Sequence, residues 1–464
     1  MSAEFDGGIF KRRREALIKR MQDGVAIFPA APEYLRNGDV HHDYRQHSDF
    51  FYLTGFSEPG SLALIIKGHG EHRFVLFVPK RDKLMEIWHG RRAGPEGAVN
   101  RFGADAAYTL EEIDEKIPEY LRNVQRMYVH IGDDAEFDAR VTRWLNAVRR
   151  MKRQGFNAPT EMHDPSEIVH EMRLIKTDDD LRFMRKASEI SAEGHNAGMR
   201  ATRPGMFEYE VQADIEYVFR KGGSHRNGYG SIVAGGDNAN ILHYHENNMV
   251  LNDGDLLLVD AGAEYGMYSA DITRTWPVNG KFTEAQAEVY NWVLKAQLAA
   301  IDKCREGVSF REVHNAAVEV LTEGLVAMGL LEGDPRDIIE KQAKWDEDVK
   351  NKIVDPKKEQ APRTYREFYM HNTSHWLGMD VHDVGNYKTG DDWVPLRAGC
   401  VLTVEPGLYI AANRDDVPEK YRGIGVRIED DVLVTKDDPD VLTDGAVKTV
   451  EAIETIMAEA MAKA

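Results

Sequence analysis

Cysteine is almost absent from this chain: two in 464 residues, Cys304 and Cys400. That excludes a disulfide framework and makes a reducing compartment the expected setting. Long apolar runs are missing too, and nothing approaches the roughly 20 uncharged residues needed to span a bilayer. The opening MSAEFDGGIFKRRREALIKRM has no apolar stretch behind its basic residues, so no secretory signal is expected there. Positive charge is the minority, with 59 basic against 78 acidic residues and a net charge of −19. Such a surface repels phosphate backbones, so nucleic acid is not an expected partner, and neither is a membrane. What remains is ordinary for a folded protein, 42% hydrophobic and 30% charged. The expectation is a soluble cytoplasmic protein, long enough for two or three domains.

The first 160 residues alternate in type. A basic amphipathic stretch, Ile9 to Met21, precedes the apolar run VAIFPA, and two strand-like runs follow at 61–67 and 72–80. A helical pattern near 110–122, a strand at 127–131 and a helix from about Ala135 to Arg153 complete a compact α/β domain. NAPTEMHDPSE, with Pro159 and Pro165, reads as a linker, so the domains are placed at 1–165 and 166–464.

Beyond the linker, helices are expected at about 178–201, 207–221, 283–303 and 309–329, with strands up to Pro277 and again from Cys400 to Thr435. A closing helix starts near Val447. RPGMFEYEV (203–211) aligns with REGVSFREV (305–313), sharing Arg, Gly, Glu and Val; chance and a duplicated helix-pair-plus-sheet unit both account for it. Residues 331–365 are charged, contain three prolines and read as a surface insertion.

The chemistry concentrates in strand-like segments. In LLLVDAGAEYGMYSADITRTWPV (256–278), two apolar runs flank a tight turn. Centring that turn on the Tyr265–Gly266 bond places Asp260 across from Asp271, two carboxylates where both should be buried. Either a bulge turns one away or a cation lies between them. MHNTSHWLGMDVHDVG (370–385) supplies His371, His375 and His382, and two further apolar strand patterns each contain one acid, Glu405 and Glu429. Singly, each glutamate reads as an ion-paired core residue, with Arg427 available, and each histidine as a satisfied core group. Together, two aspartates, two glutamates and a histidine make the ligand count of a carboxylate-bridged two-metal site. Oxygen-rich ligation favours Mn²⁺, and one imidazole leaves Zn²⁺ or Co²⁺ open.

At these residues the sequence resembles the pita-bread metallopeptidases, and among them the Xaa-Pro aminopeptidases (aminopeptidase P), over nearly its whole length. DAGAEYGMYSADITRTWPV is similar to the family's two-aspartate hairpin, SHWLGMDVHDVG to its histidine segment, TVEPGLYI and GVRIEDD to its glutamate strands. DYRQHSDFFYLTGFSEPG and MEIWHGRRAGPEG are similar to the smaller domain that precedes the catalytic one in aminopeptidase P and prolidase. The resemblance implies a small α/β domain followed by a catalytic domain with a curved antiparallel sheet flanked by helices. It implies that Asp260, Asp271, His375, Glu405 and Glu429 bind two divalent ions, Asp271 and Glu429 bridging them, with a hydroxide between the ions attacking the Xaa-Pro bond. Glu405 would carry the proton to the leaving nitrogen, and His243 and His382 would contact the scissile carbonyl. His371 would line the proline pocket, Arg427 would orient a ligand carboxylate beside the substrate, and Trp88 would reach the active site of a neighbouring subunit in a homodimer or homotetramer. For Trp88, packing within the small domain is the alternative.

Three functions compete: an Xaa-Pro aminopeptidase acting on peptides, a prolidase confined to Xaa-Pro dipeptides, and a catalytically inactive binding relative. A complete ligand set argues against the last. A prolidase would need a cation for the dipeptide's carboxylate, for which Arg366 and Arg422 are the first choices.

Overall fold

In the computed structural model, which describes residues 7–463, the chain divides into two compact units, Met1–Met172 and Arg173–Ala464. The division falls inside the helix Ser166–Leu174 instead of at the expected boundary after residue 165.

The first unit is built on a mixed six-stranded sheet. Gly24–Pro29 lies near its middle, antiparallel to Leu62–Lys67 and parallel to Arg126–Tyr128. The first two runs are short and apolar, with Val and Ile among them, and they are buried on both faces, with helices such as Ala135–Arg150 packed on the sheet. That helix is capped by Asp134, whose carboxylate accepts from the Glu136 and Phe137 amides, and it buries Val141, Trp144 and Val148. The expected linker is not one. Glu161–His163 pairs in parallel with Arg126–Tyr128 and closes the sheet edge. Three residues between two prolines are too few to show a period, so backbone pairing alone reveals that strand.

In the second unit, helices Asp178–Ala201, Glu208–Lys221, Glu284–Ile301 and Phe310–Ala327 pack on short antiparallel strands. Thr177 with Asp180, and Thr283 with Gln286, form capping boxes that start the first and third helices. The alignment of 203–211 with 305–313 is realised in the backbone. Gly205 and Gly307 donate to Leu251 and Leu396, while Leu251 and Leu396 donate back to Met206 and Val308. Bridges Phe207–Val250 and Ser309–Pro395 repeat the same contact. After each helix pair comes an antiparallel ladder, Leu256–Asp260 with Thr273–Pro277 in the first half and Val401–Val404 with Asp430–Leu433 in the second.

Two sequence expectations need correction here. The hairpin turn is centred on Gly266 and Met267, both at positive φ (58° and 68°), so Tyr265 pairs with Tyr268 and Asp260 with Thr273, not Asp271. The 331–365 stretch is not all surface: Pro335–Lys350 is a helix capped by Asp334 that buries Ile338 and Gln342. Its charged outer face hides that two-residue inner stripe. Among the described residues, no helix is long and apolar enough to cross a membrane.

Candidate metal centre

A cleft of ≈ 500 Å³ in the second unit is lined by Asp260, Asp271, His375, Glu405 and Glu429, together with His243, His371, His382 and Arg427. The four acids sit where strands end or break. Asp260 closes Leu256–Asp260, Glu405 follows Val401–Val404, and Glu429 lies between Ile424–Arg427 and Asp430–Leu433. Asp271 occupies the irregular step between the short strand Tyr268–Ser269 and the ladder that starts at Thr273. His375 is held beside Val401–Val404, its amide donating to the Thr403 hydroxyl and its carbonyl accepting from the Thr403 amide. The step at Asp271 needs Gly262, because a Cβ there would stand 1.8 Å from the Ala270 carbonyl oxygen. The register shift therefore does not separate the two aspartates: the Tyr229 hydroxyl lies 2.6 Å from Asp260 Oδ1 and 2.5 Å from Asp271 Oδ1.

Ligand atoms of Asp271, His375 and Glu429 all lie within 4.8 Å of one another. His375 Nε2 is 3.4 Å from Asp271 Oδ2 and 3.8 Å from Glu405 Oε1. Its Nδ1 donates to the Trp376 carbonyl at 3.0 Å, so on losing its second proton to a cation the ring would present the Nε2 lone pair to the acids, the tautomer a metal ligand requires. Around this core, the Thr273 hydroxyl donates to Glu429 Oε2 (2.6 Å) and the Asp271 amide donates to Asp431 (3.1 Å).

Charge is out of balance. Burial, then Asp271 and Glu405, push Glu429 well above the ordinary carboxylate range, and burial lifts Glu405 to about 7. Burial raises Asp271 as well, with Asp260 adding to the rise against His375. Burial lowers His375, but Asp271 and Glu405 outweigh it and carry the ring to about 9. Four carboxylates this close need more positive charge than Arg427 and one imidazole provide, and divalent cations with oxygen-rich ligation fit that need.

Arg427 is buried and fully engaged. It donates to Asp260 Oδ2 (2.7 Å), to the Thr273 hydroxyl (3.0 Å) and to the Tyr409 hydroxyl (3.1 Å). Tyr409 in turn donates to His371 Nε2 at 2.8 Å, and His371 Nδ1 donates to the Asn372 carbonyl at 2.8 Å. Burial keeps His371 neutral, at about 3. Arg427 thus holds an acid and His371 uses both ring nitrogens internally. What His371 offers the cleft is ring surface.

His243 and His382 differ from these. Both are exposed to the cleft, and neither has a hydrogen bond within the chain among the described residues. The His382 ring centroid stands 4.4 Å from that of His375. Its segment is locked by Asp383, which is buried against Arg173 Nη2 (2.6 Å) and Lys176 Nζ (3.0 Å). The loop carrying His243 is tied by Glu208, whose buried carboxylate accepts from the Gly235 and Met249 amides, the Asn238 amide side chain and the Tyr244 hydroxyl.

Trp88 lies in the first unit on the helix Lys83–His89, none of whose residues is buried, and is itself 76% exposed. Packing within its own domain is therefore not its role. Arg366 and Arg422 spend guanidinium donors on backbone carbonyls, Met370 for the first and Val417 and Asp415 for the second, and neither lines the cleft. Tyr229, Thr273 and Tyr409 carry no mark in the sequence; an ordinary Tyr between Gly228 and Gly230 is the nearest thing to a signal.

Comparison with known proteins places this geometry. Residues 182–436 match Metallopeptidase family M24, and residues 10–130 match the aminopeptidase P N-terminal domain. The chain is 43% identical over 453 residues to the Xaa-Pro aminopeptidase of Escherichia coli (strain K12), covering 97% of this chain and 98% of that protein. The structure of Pseudomonas aeruginosa aminopeptidase PepP superposes with a TM-score of 0.93 at 46% identity, over 99% of each chain. A zinc-substituted E. coli aminopeptidase P in complex with product superposes with a TM-score of 0.91 at 42% identity, again over 99% of each chain.

Proposed function

The chain belongs to metallopeptidase family M24 and is a hydrolase, and from that premise we propose that it is an Xaa-Pro aminopeptidase, removing the N-terminal residue ahead of proline. The observation that carries this reading is the convergence of five metal-type side chains on one cleft whose acids outnumber its cations. Asp260, Asp271, His375, Glu405 and Glu429 would hold two divalent ions, Asp271 and Glu429 being shared between them, with Mn²⁺ the favoured metal. Bound there, such ions would supply Lewis acidity for the carbonyl and a water that ionises near neutral pH.

The chain's own groups do the rest. Glu405 accepts the proton of the attacking water and returns it to the leaving nitrogen. That return matters for proline, whose amide nitrogen has no hydrogen and must depart as a ring amine. His243 and His382, free of internal partners, donate to the carbonyl oxygen as charge develops on it. Arg427 fixes Asp260 and, through Tyr409, the orientation of His371 against the proline ring. Trp88 completes the cleft of a neighbouring subunit in a homodimer or homotetramer, and the enzyme works in the cytoplasm.

The test is a paired assay of Xaa-Pro-Xaa and Xaa-Ala-Xaa peptides after dialysis against chelator and reloading with Mn²⁺, Zn²⁺ or Co²⁺. Release of the first residue only from the proline peptides, and only after reloading, is expected. Turnover by chelated protein, or none with any of the three ions, overturns the reading.

A further inference from the structure

A second cavity of ≈ 440 Å³ adjoins the metal cleft and shares His375 and His382 with it. Its wall is aromatic: Phe310 lies parallel to Trp393 (6.1 Å between centroids, 10°) and edge-on to Tyr387 (5.0 Å, 77°). Arg311 follows Phe310 on the same helix and places its guanidinium 5.6 Å from the Trp393 ring centroid. Lys388 sits 4.4 Å from that same centroid. No carboxylate pairs with Arg311 among the described residues. Asp346, whose field reaches Arg311, is hydrogen-bonded to Gln342 instead.

A half-buried arginine without a paired acid bears a desolvation cost that the Trp393 ring and the field of Asp346 offset only in part. That is conspicuous in a chain of net charge −19, where acids are plentiful. Of the histidines on this wall, His314 is buried and kept neutral; no carboxylate lines the cavity, and the cations nearest its outer end are Arg311 and Lys388. Polarity also orients a peptide across the two cavities. Arg311 and Lys388 repel its ammonium end, which leaves the part beyond the scissile bond to lie toward Trp393.

We propose that Arg311 and the Phe310–Tyr387–Trp393 wall form a specificity subsite that binds a carboxylate on the leaving portion of the substrate. The carboxylate is either the C-terminus of a short peptide or an acidic side chain downstream of proline. The guanidinium pairs with it while stacked on Trp393, and the aromatic wall packs the adjoining methylenes. This rests on the aminopeptidase reading above.

Four peptides separate the sources and the readings: Ala-Pro-Ala-Ala as acid and as amide, and Ala-Pro-Ala-Glu and Ala-Pro-Ala-Gln, both amidated. With metal-loaded protein, the free-acid or the Glu peptide should exceed its neutral partner about tenfold in kcat/KM, mostly through KM. Arg311→Gln should bring the ratio close to one, and Arg311→Lys should keep part of it, with thermal unfolding checked for both. Cleavage of all four at equal efficiency, or a ratio that survives in folded Arg311→Gln, overturns the subsite and leaves the aminopeptidase intact. Cleavage of none overturns the aminopeptidase reading itself. Calorimetric titration with the same four peptides reads the subsite where no bond is cut, and equal affinities there also overturn it.

Discussion

Asp271 is the residue on which most of the site converges: Tyr229 on one oxygen, His375 near the other, Asp431 at its amide. Replacing it with Asn removes a charge and would weaken its bond to each ion that we propose it bridges. Asp271→Asn should at least halve the metal bound, measured by atomic absorption, and abolish turnover; two ions and normal kcat would defeat the two-metal assignment. A second residue-scale consequence concerns His314, which burial, and then Arg311, push from 6.5 to about 3. The folded protein refuses a proton that the unfolded chain accepts, so stability is full above pH 6.5 and lost as pH falls toward 3. His314→Gln should therefore lose less stability than wild type between pH 6.5 and 5, by up to about 1.4 kcal/mol per pH unit in urea titrations. Parallel pH curves would sink this. The four acids that meet in the cleft were legible in the sequence because acids inside apolar strand runs are anomalous, whereas the choice of His375 among three histidines came from the family resemblance. Tyr229 and Arg311 were not, since neither a tyrosine in a loop nor an arginine on a helix is unusual until its neighbours are known.

The elements that carry the proposed site show what one kind of pattern reveals and another hides. The long helices were readable from period and caps, Asp178–Ala201 to the residue. The hairpin was readable as a hairpin but misplaced by one position at its centre, because Met267 adopts the left-handed conformation that sequence reserves for Gly or Asn. The register is accompanied by a close approach of the two strands at Gly262 and Ala270, which a sequence pattern does not display. The loop bearing His243 depends likewise on a distant group, Glu208, on the helix Glu208–Lys221. Glu208 accepts four hydrogen bonds while fully buried, and a glutamine can accept at only one of its two terminal atoms. Glu208→Gln should cost about 1–3 kcal/mol of stability and lower kcat with metal content unchanged. Hydrogen exchange should rise at 236–249 ahead of the rest; unaltered exchange there would show that the loop holds itself.

At the scale of the whole molecule, the order of domains and the class of chemistry were legible, because each rests on many residues at once. The edge strand Glu161–His163 and the docked helix Pro335–Lys350 were not, since a few contacts decide each. Trp88 exposes a large apolar surface that its own unit does not cover, and removing it tests whether assembly serves catalysis. Trp88→Ala should reduce kcat/KM on Xaa-Pro-Xaa-Xaa peptides more than on Xaa-Pro dipeptides, with sedimentation recording the oligomer. Equal loss on both, or none, would leave Trp88 outside the cleft. The duplication within the second unit has its own outcome. Asp260 and Asp271 come from the first half; His375, Glu405 and Glu429 come from the second. The halves already share one apolar core and the buried Arg274–Asp430 pair (2.6 Å), so ions held by all five side chains would act as a further clasp between them. Loading the clasp must tighten the halves by the same free energy with which their apposition tightens the ions. Chelator should thus loosen the seam where Glu429 donates its amide to Thr273 before it disturbs either ladder.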